Sequence, residues 1–174
     1  MIETNEIVPE NDVLIAVTNY FIQRGVFPYQ FSLATGRGID HSKANDWLQE
    51  LYSSTGYTPS FSGTGADIIA GSNSEWWQVE CKGSGTGKTQ TQRTNFDRAL
   101  ASVVSYYEEK PPQRLPIFNG CSAYLGLALP STKAYLKELR KRVRQPLRKR
   151  LNLWILLYDI NKNNIRVINP EEDI

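Results

Sequence analysis

The stretch that most constrains the fold is Gly65-Ala66-Asp67-Ile68-Ile69-Ala70, then Gly71-Ser72-Asn73-Ser74, then Trp76-Trp77-Gln78-Val79-Glu80-Cys81-Lys82-Gly83. Two segments rich in β-branched, aromatic and small residues flank turn chemistry, which is the pattern of a β-hairpin. With the turn centred between Asn73 and Ser74, Ile68 pairs with Val79 and Asp67 lies opposite Glu80. Side chains alternate along a strand, so Trp76, Gln78, Glu80 and Lys82 share one face with Asp67.

Two carboxylates about 5 Å apart destabilise a hairpin unless something cationic lies between them. That gap suits a divalent metal. Mg²⁺ takes hard oxygen ligands, commonly one or two carboxylates completed by water and substrate phosphate. A lysine beside the ion can orient a water or offset charge on phosphorus. The alternative is an exposed hairpin in which Glu80 and Lys82 make a surface ion pair of little value. Ile68, Ile69, Trp76, Trp77 and Val79 argue for a covered hairpin, and covered carboxylates need partners.

A chain of 174 residues predicts a single domain with a full core. Its net charge of +2 is small but segregated: Glu3, Glu6, Glu10 and Asp12 stand against Arg24 in residues 1–30, and nine lysines and arginines against Glu138 in residues 131–150. Cys81 and Cys121 have neither metal nor disulfide spacing, which fits a reducing compartment. No basic-then-apolar leader is evident, and no apolar run approaches the roughly 20 residues of a membrane span. A cytoplasmic protein without a membrane partner is the expectation. His41 is the only histidine, which disfavours Ser-His-Asp or Cys-His chemistry and excludes zinc sites built from several histidines and cysteines.

Helical spacing predicts four helices. They cover 11–24, then Asp40 or Ser42 to Gly56, then Thr91 to Glu109, and Ser131 or Thr132 to Pro146. The third turns Phe96, Ala99, Leu100, Val103, Val104 and Tyr107 inward, and the fourth Tyr135, Leu136, Leu139 and Val143. A weak strand over 29–34 ends at the Thr35-Gly36-Arg37-Gly38 turn. Stronger ones cover 121–129, 151–160 and 165–168. Thr58 to Thr64 reads as an irregular Ser- and Gly-rich segment, and Lys110 to Gly120 as a loop. The order implies an α/β fold with one mixed sheet flanked by helices.

Gly83-Ser84-Gly85-Thr86-Gly87-Lys88-Thr89 is one residue short of phosphate-loop spacing, so nucleotide hydrolysis ranks low. The same loop brings Gln90, Gln92 and Arg93 to a helix start, where free backbone N–H groups attract phosphate. Lys133, Lys137, Arg140, Lys141, Arg144 and Arg148 form a run nearly all of one sign, suited to a polyanion. Asp46 and Glu50, one turn apart, could add a ligand if their helix packs beside the hairpin.

On Ala66-Asp67, a twelve-residue interval and Glu80-Cys81-Lys82, the chain resembles the PD-(D/E)XK nuclease superfamily, most nearly its Mrr-type restriction and Holliday-junction-resolvase branches. The context is similar over about residues 40–130: Gly56-Tyr57 ends a helix, Gly63-Thr64-Gly65-Ala66-Asp67 opens a strand, and an amphipathic helix and a further strand follow Lys82. The basic helix and last strands, 131–174, lie beyond it. The resemblance implies a restriction-endonuclease-like fold and an endonuclease that hydrolyses DNA with Mg²⁺, or Mn²⁺ in its place. Asp67, Glu80 and the backbone carbonyl of Cys81 would hold the ion, and Lys82 would serve the attacking water. Ala66 replaces the nominal proline. The helix glutamate of Mrr-type members falls at Asn45 or Asp46, so Asp46 is a further metal-ligand expectation, and Gln90 or Gln92 matches a polar residue that many members carry after the lysine. The rival expectation is a non-catalytic or partner-dependent DNA-binding module on the same fold. A homodimer or a partner subunit would suit cleavage of both strands.

Overall fold

The computed structural model describes residues 7–33, 42–53, 59–86, 88–111 and 120–174. In chain order they form α1 (Glu10–Gln23), β1 (Phe27–Ser32), α2 (Ser42–Ser53), β2 (Ser60–Ser62), β3 (Ile68–Gly71), β4 (Glu75–Cys81), α3 (Thr89–Ser105), β5 (Ser122–Pro130), α4 (Lys133–Arg142), α5 (Gln145–Leu151), β6 (Leu153–Asp159) and β7 (Asn164–Ile168). The strands make one seven-stranded mixed sheet in the order β2-β1-β3-β4-β5-β6-β7. The chain is thus a single α/β domain.

Connection length explains the strand directions. The short turn after Gly71 makes β3 and β4 antiparallel, and the turn after Asp159 does the same for β6 and β7. Helical crossovers make β4, β5 and β6 parallel. These central strands are covered on both faces, which is why β5 reads as an apolar run with little alternation. On one face α1 sets Val13, Leu14, Val17 and Phe21 against Ile68, Ala70, Trp77, Val79, Ala128 and Leu156. On the other, Phe96, Ala99 and Val103 of α3 and Tyr135 and Leu139 of α4 cover Leu125, Leu127, Leu129, Ile155 and Leu157.

Several expectations need correction. Within Thr58 to Thr64, Ser60–Ser62 is an edge strand paired in parallel with β1. Before residue 40, β1 lies between β2 and β3 and α1 packs on the sheet. The fourth helix stops at Arg142 and a separate α5 starts at Gln145. Pro146 sits in the first turn of α5, where its missing N–H breaks no helical hydrogen bond. Near the end of α3, Val104 and Tyr107 are exposed, and Tyr106 is the residue turned towards the sheet. The turn at 35–38, His41, the Gly56-Tyr57 pair, Gly87 and residues 112–119 lie outside the described residues.

Candidate active site

The β3–β4 register runs from Gly71 opposite Trp76 to Ile68 opposite Val79. The next position places Asp67 across from Glu80, just past the end of the ladder. Asp67 does not splay away there. Its Oδ2 accepts the Cys81 N–H at 2.7 Å, and its carbonyl accepts the Ser32 N–H at 3.0 Å, so both neighbouring strands hold it. A strand residue points its N–H and C=O towards the same edge. The Cys81 carbonyl is therefore on the Asp67 side, while the Lys82 N–H turns the other way to Ala128 O at 3.0 Å.

The site also contains a third carboxylate, Glu10, which sequence reasoning missed. Lys82 Nζ stands 3.1 Å from Glu10 Oε2 and 3.5 Å from Glu80 Oε1. Glu10 is the first residue of α1 and reaches the site through a tight backbone seam. Val8 N donates to Ser84 Oγ at 2.7 Å, and Ser84 N donates to Val8 O at 2.8 Å. Gly83 allows the approach, since a Cβ there would lie 2.5 Å from Val8 O and 2.6 Å from Glu10 N. The signal was present in Gly83-Ser84 beside the motif, but nothing local says which distant segment the glycine admits.

Tyr106 is the second residue missed. Its hydroxyl donates to Glu80 Oε2 at 2.9 Å and lies 3.1 Å from Gly65 O. Its carbonyl accepts Gln78 Nε2 at 2.7 Å. Gln78 and Glu80 alternate onto one face of β4, so this single residue clamps both. The sequence signal was the progression Gln92, Phe96, Ala99, Val103, whose next inward step is Tyr106.

Burial and mutual repulsion set the electrostatics. Glu80 is only 5% exposed. Burial, then the Glu80 charge, pushes the Asp67 carboxyl well above the usual range, against the pull of Lys82 and the Cys81 N–H. Burial also raises Glu80, with Lys82 and the Tyr106 hydroxyl acting in opposition. Burial would lower the Lys82 ammonium, yet Glu10, Asp67 and Glu80 together outweigh it and the pKa rises. Lys82 is a fixed cation at neutral pH, suited to holding a water or an anionic oxygen rather than to taking a proton. The Cys81 thiol is buried and its pKa is raised well above the ordinary value, so it is no thiolate nucleophile.

The chemistry of the donor set fits Mg²⁺. Two desolvated carboxylates with raised pKa values gain from a dication, and the remaining ligands can be water and phosphate. Among the described residues no three His, Cys, Asp or Glu side chains form a ready cage, and Lys82 Nζ pairs with both Glu10 and Glu80. Asp46 lies on the exposed side of α2, as does Glu50, and neither joins this cluster in any described contact.

The residues expected to face nucleic acid divide into two groups. Gln90 and Arg93 are exposed in the first turns of α3, and Lys133, Lys137, Arg140, Lys141 and Arg144 are exposed on or just beyond α4. Two expectations are corrected. Gln92 is buried, and its Oε1 accepts Thr132 Oγ1 at 2.6 Å, joining α3 to α4. Arg148 is 1% exposed, and its guanidinium donates to the carbonyls of Asn169, at 2.8 Å, and Glu172. Arg148 fastens the last residues to α5 and faces no solvent. Comparison with protein-family models, curated proteins and solved structures gives no match.

Proposed function

We propose that the protein is a Mg²⁺-dependent endonuclease of the PD-(D/E)XK type that hydrolyses phosphodiester bonds in DNA. The observation that carries the reading is the opposed pair of half-buried Asp67 and buried Glu80 with the Lys82 ammonium beside them, at the end of a central strand. A structural salt bridge needs one carboxylate; this site gathers three around one lysine, at a desolvation cost that a purely structural role leaves unexplained. The helix, antiparallel hairpin, helix and parallel strand formed by α2, β3–β4, α3 and β5 also agree with the order that the motif resemblance implies.

Asp67, Glu80 and the Cys81 carbonyl would hold the ion, while Glu10 pairs with Lys82. When bound, Mg²⁺ supplies Lewis-acid polarisation of the phosphate and a lowered pKa for water. Asp67 stays aimed by the Cys81 N–H, and Glu80 by the Tyr106 hydroxyl. Lys82, held cationic, orients a water or offsets charge that builds on the phosphoryl oxygens. Glu10 positions Lys82.

The test is cleavage of supercoiled plasmid and of a branched junction with Mg²⁺ or Mn²⁺, with DNA binding recorded alongside. Metal-dependent nicking that Asp67→Ala and Lys82→Ala both abolish supports the reading. Binding without nicking by wild type, on both substrates and with both metals, transfers the proposal to a non-catalytic or partner-dependent DNA-binding module.

A further inference from the structure

Helix α4 and the β6–β7 hairpin enclose a groove of about 790 Å³ at the carboxyl ends of β5 and β6. Lys137, Arg140 and Lys141 line the helix wall, Lys162 and Arg166 line the hairpin wall, and Leu157 lies on the floor. The acid at the rim is Asp159, and its Oδ1 is engaged by the N–H groups of Asn161, at 3.1 Å, and Lys162, at 3.3 Å. It is turned to its own tight turn.

Arg140 Nε donates to Ile174 O at 3.0 Å, but the other four of these cations are not neutralised among the described residues. Other basic residues of this region are: Arg142 pairs with Asp97 and Glu138, and Lys149 with Glu171. Lys137, Lys141, Lys162 and Arg166 make no ion pair with a described residue. A single small anion would satisfy one or two of them. Cations on two facing walls suit a charged chain running between the walls.

Register gives the groove a position relative to the carboxylates. Glu80 pairs with Leu127, and Leu127 with Ile155. Leu157 is two residues further along β6, on the same face, and pairs with Arg166. With strands about 4.8 Å apart and about 3.3 Å per residue, Leu157 lies about 12 Å from Glu80 and Arg166 about 16 Å from it. Duplex DNA advances about 3.4 Å per base pair, so the span is about four base pairs.

We propose that this groove grips the phosphate backbone of the DNA being cut, about four base pairs from the scissile phosphate. Lys162 and Arg166, from a hairpin outside the basic helix, supply its second wall. The distance to the cut rests on the nuclease reading; the binding itself does not.

The test measures affinity for a 20-base-pair duplex in EDTA between 50 and 200 mM salt, for wild type, Lys137→Ala/Arg166→Ala, Lys162→Ala and the control Lys149→Ala. Loss of two phosphate contacts lowers the log–log salt slope by about 2 and weakens binding about 60-fold at 0.1 M salt. Lys162→Ala lowers the slope by about 1, and Lys149→Ala leaves it unchanged. Single methylphosphonate substitutions weaken wild type at phosphates about four positions from the cut and leave the double variant indifferent there. If the groove variants keep the wild-type slope and affinity, the groove is overturned even where plasmid nicking persists. If they lose binding as expected while no protein nicks DNA, the groove stands and the nuclease reading falls. Wild type with no salt-sensitive DNA binding overturns the groove as well.

Discussion

Gly83→Ala is expected to unseat the start of α1 and with it Glu10. The added Cβ would meet Val8 O at 2.5 Å, Glu10 N at 2.6 Å and the Pro9 carbonyl carbon at 2.9 Å. All three are backbone atoms, so no side chain can swing aside, and the segment must retreat by about 1 Å to reach ordinary contact. That movement breaks the seam in which Val8 N donates to Ser84 Oγ and Ser84 N to Val8 O, at 2.7 and 2.8 Å. Two buried hydrogen bonds at about 1 kcal/mol each, with about 1 kcal/mol of overpacking, give a loss of about 3 kcal/mol. At this chain length the melting temperature should fall by about 6–12 °C. Circular-dichroism melts and urea titration measure the loss, and amide exchange at Val8 and Ser84 locates it. Ser84→Ala, which removes only the hydroxyl acceptor, should cost about 1 kcal/mol. A Gly83→Ala protein that melts within about 1 °C of wild type, with both amides still protected, would refute the seam as the device that places Glu10.

Asp67 and Glu80 have pKa values raised in the folded state, so the native form binds their protons more tightly than the unfolded chain does. Their contribution to stability is fully present below about pH 4 and is lost as pH rises through the folded values. Asp67→Asn should therefore be more stable than wild type at pH 8, with the difference closing towards pH 4; urea midpoints that differ equally at both pH values would reject this. Tyr106→Phe removes the donor to Glu80 Oε2 and should cost about 1.5 kcal/mol in urea without added metal, whereas an unchanged midpoint would mean that the hydroxyl contributes nothing to stability. Arg148→Met leaves the carbonyls of Asn169 and Glu172 without their donor. With two charge-assisted hydrogen bonds lost at about 1.5 kcal/mol each, it should lower stability by about 3 kcal/mol and speed proteolysis of residues 169–174, while the salt dependence of DNA binding stays at the wild-type slope. A reduced slope would return Arg148 to the phosphate contacts.

The hairpin was legible because its determinants are local. Turn residues at Ser72 to Ser74 and the apolar flanks set the register that puts Asp67 opposite Glu80, and alternation then fixed the shared face. The central strands were legible from apolar runs bounded by Pro130 and Asn161. What escaped depends on contacts distant in sequence or on small shifts of phase. Ser60–Ser62 has weak strand chemistry and is extended because β1 offers it an edge. Val104 and Tyr107 fit a helical stripe, but the last turn of α3 leaves the sheet one residue off that stripe and presents Tyr106. Arg148 looked like one more cation in a basic run. Only the return of the chain at Asn169 and Glu172 shows that its guanidinium is an internal fastener. Glu10 sits in an acidic segment with no local mark separating it from Glu3 or Glu6, and Asp46 drew attention through helix spacing alone.

The seam between Val8 and Ser84 has a consequence for when the carboxylates come together. It joins residues 76 apart, and closing a flexible loop of that length carries an entropic cost of about 4 kcal/mol before any contact offsets it. Residue 8 leaves the ribosome well before Gly83 and Ser84, so α1 waits without its docking place until the hairpin exists. Lys82 and Glu80 are already neighbours at that stage, but Glu10 reaches them only after the first helix has settled on the sheet. Assembly order thus makes the charge cluster a late product of folding: a nascent or partly melted chain keeps the motif in its sequence while lacking the constellation in space.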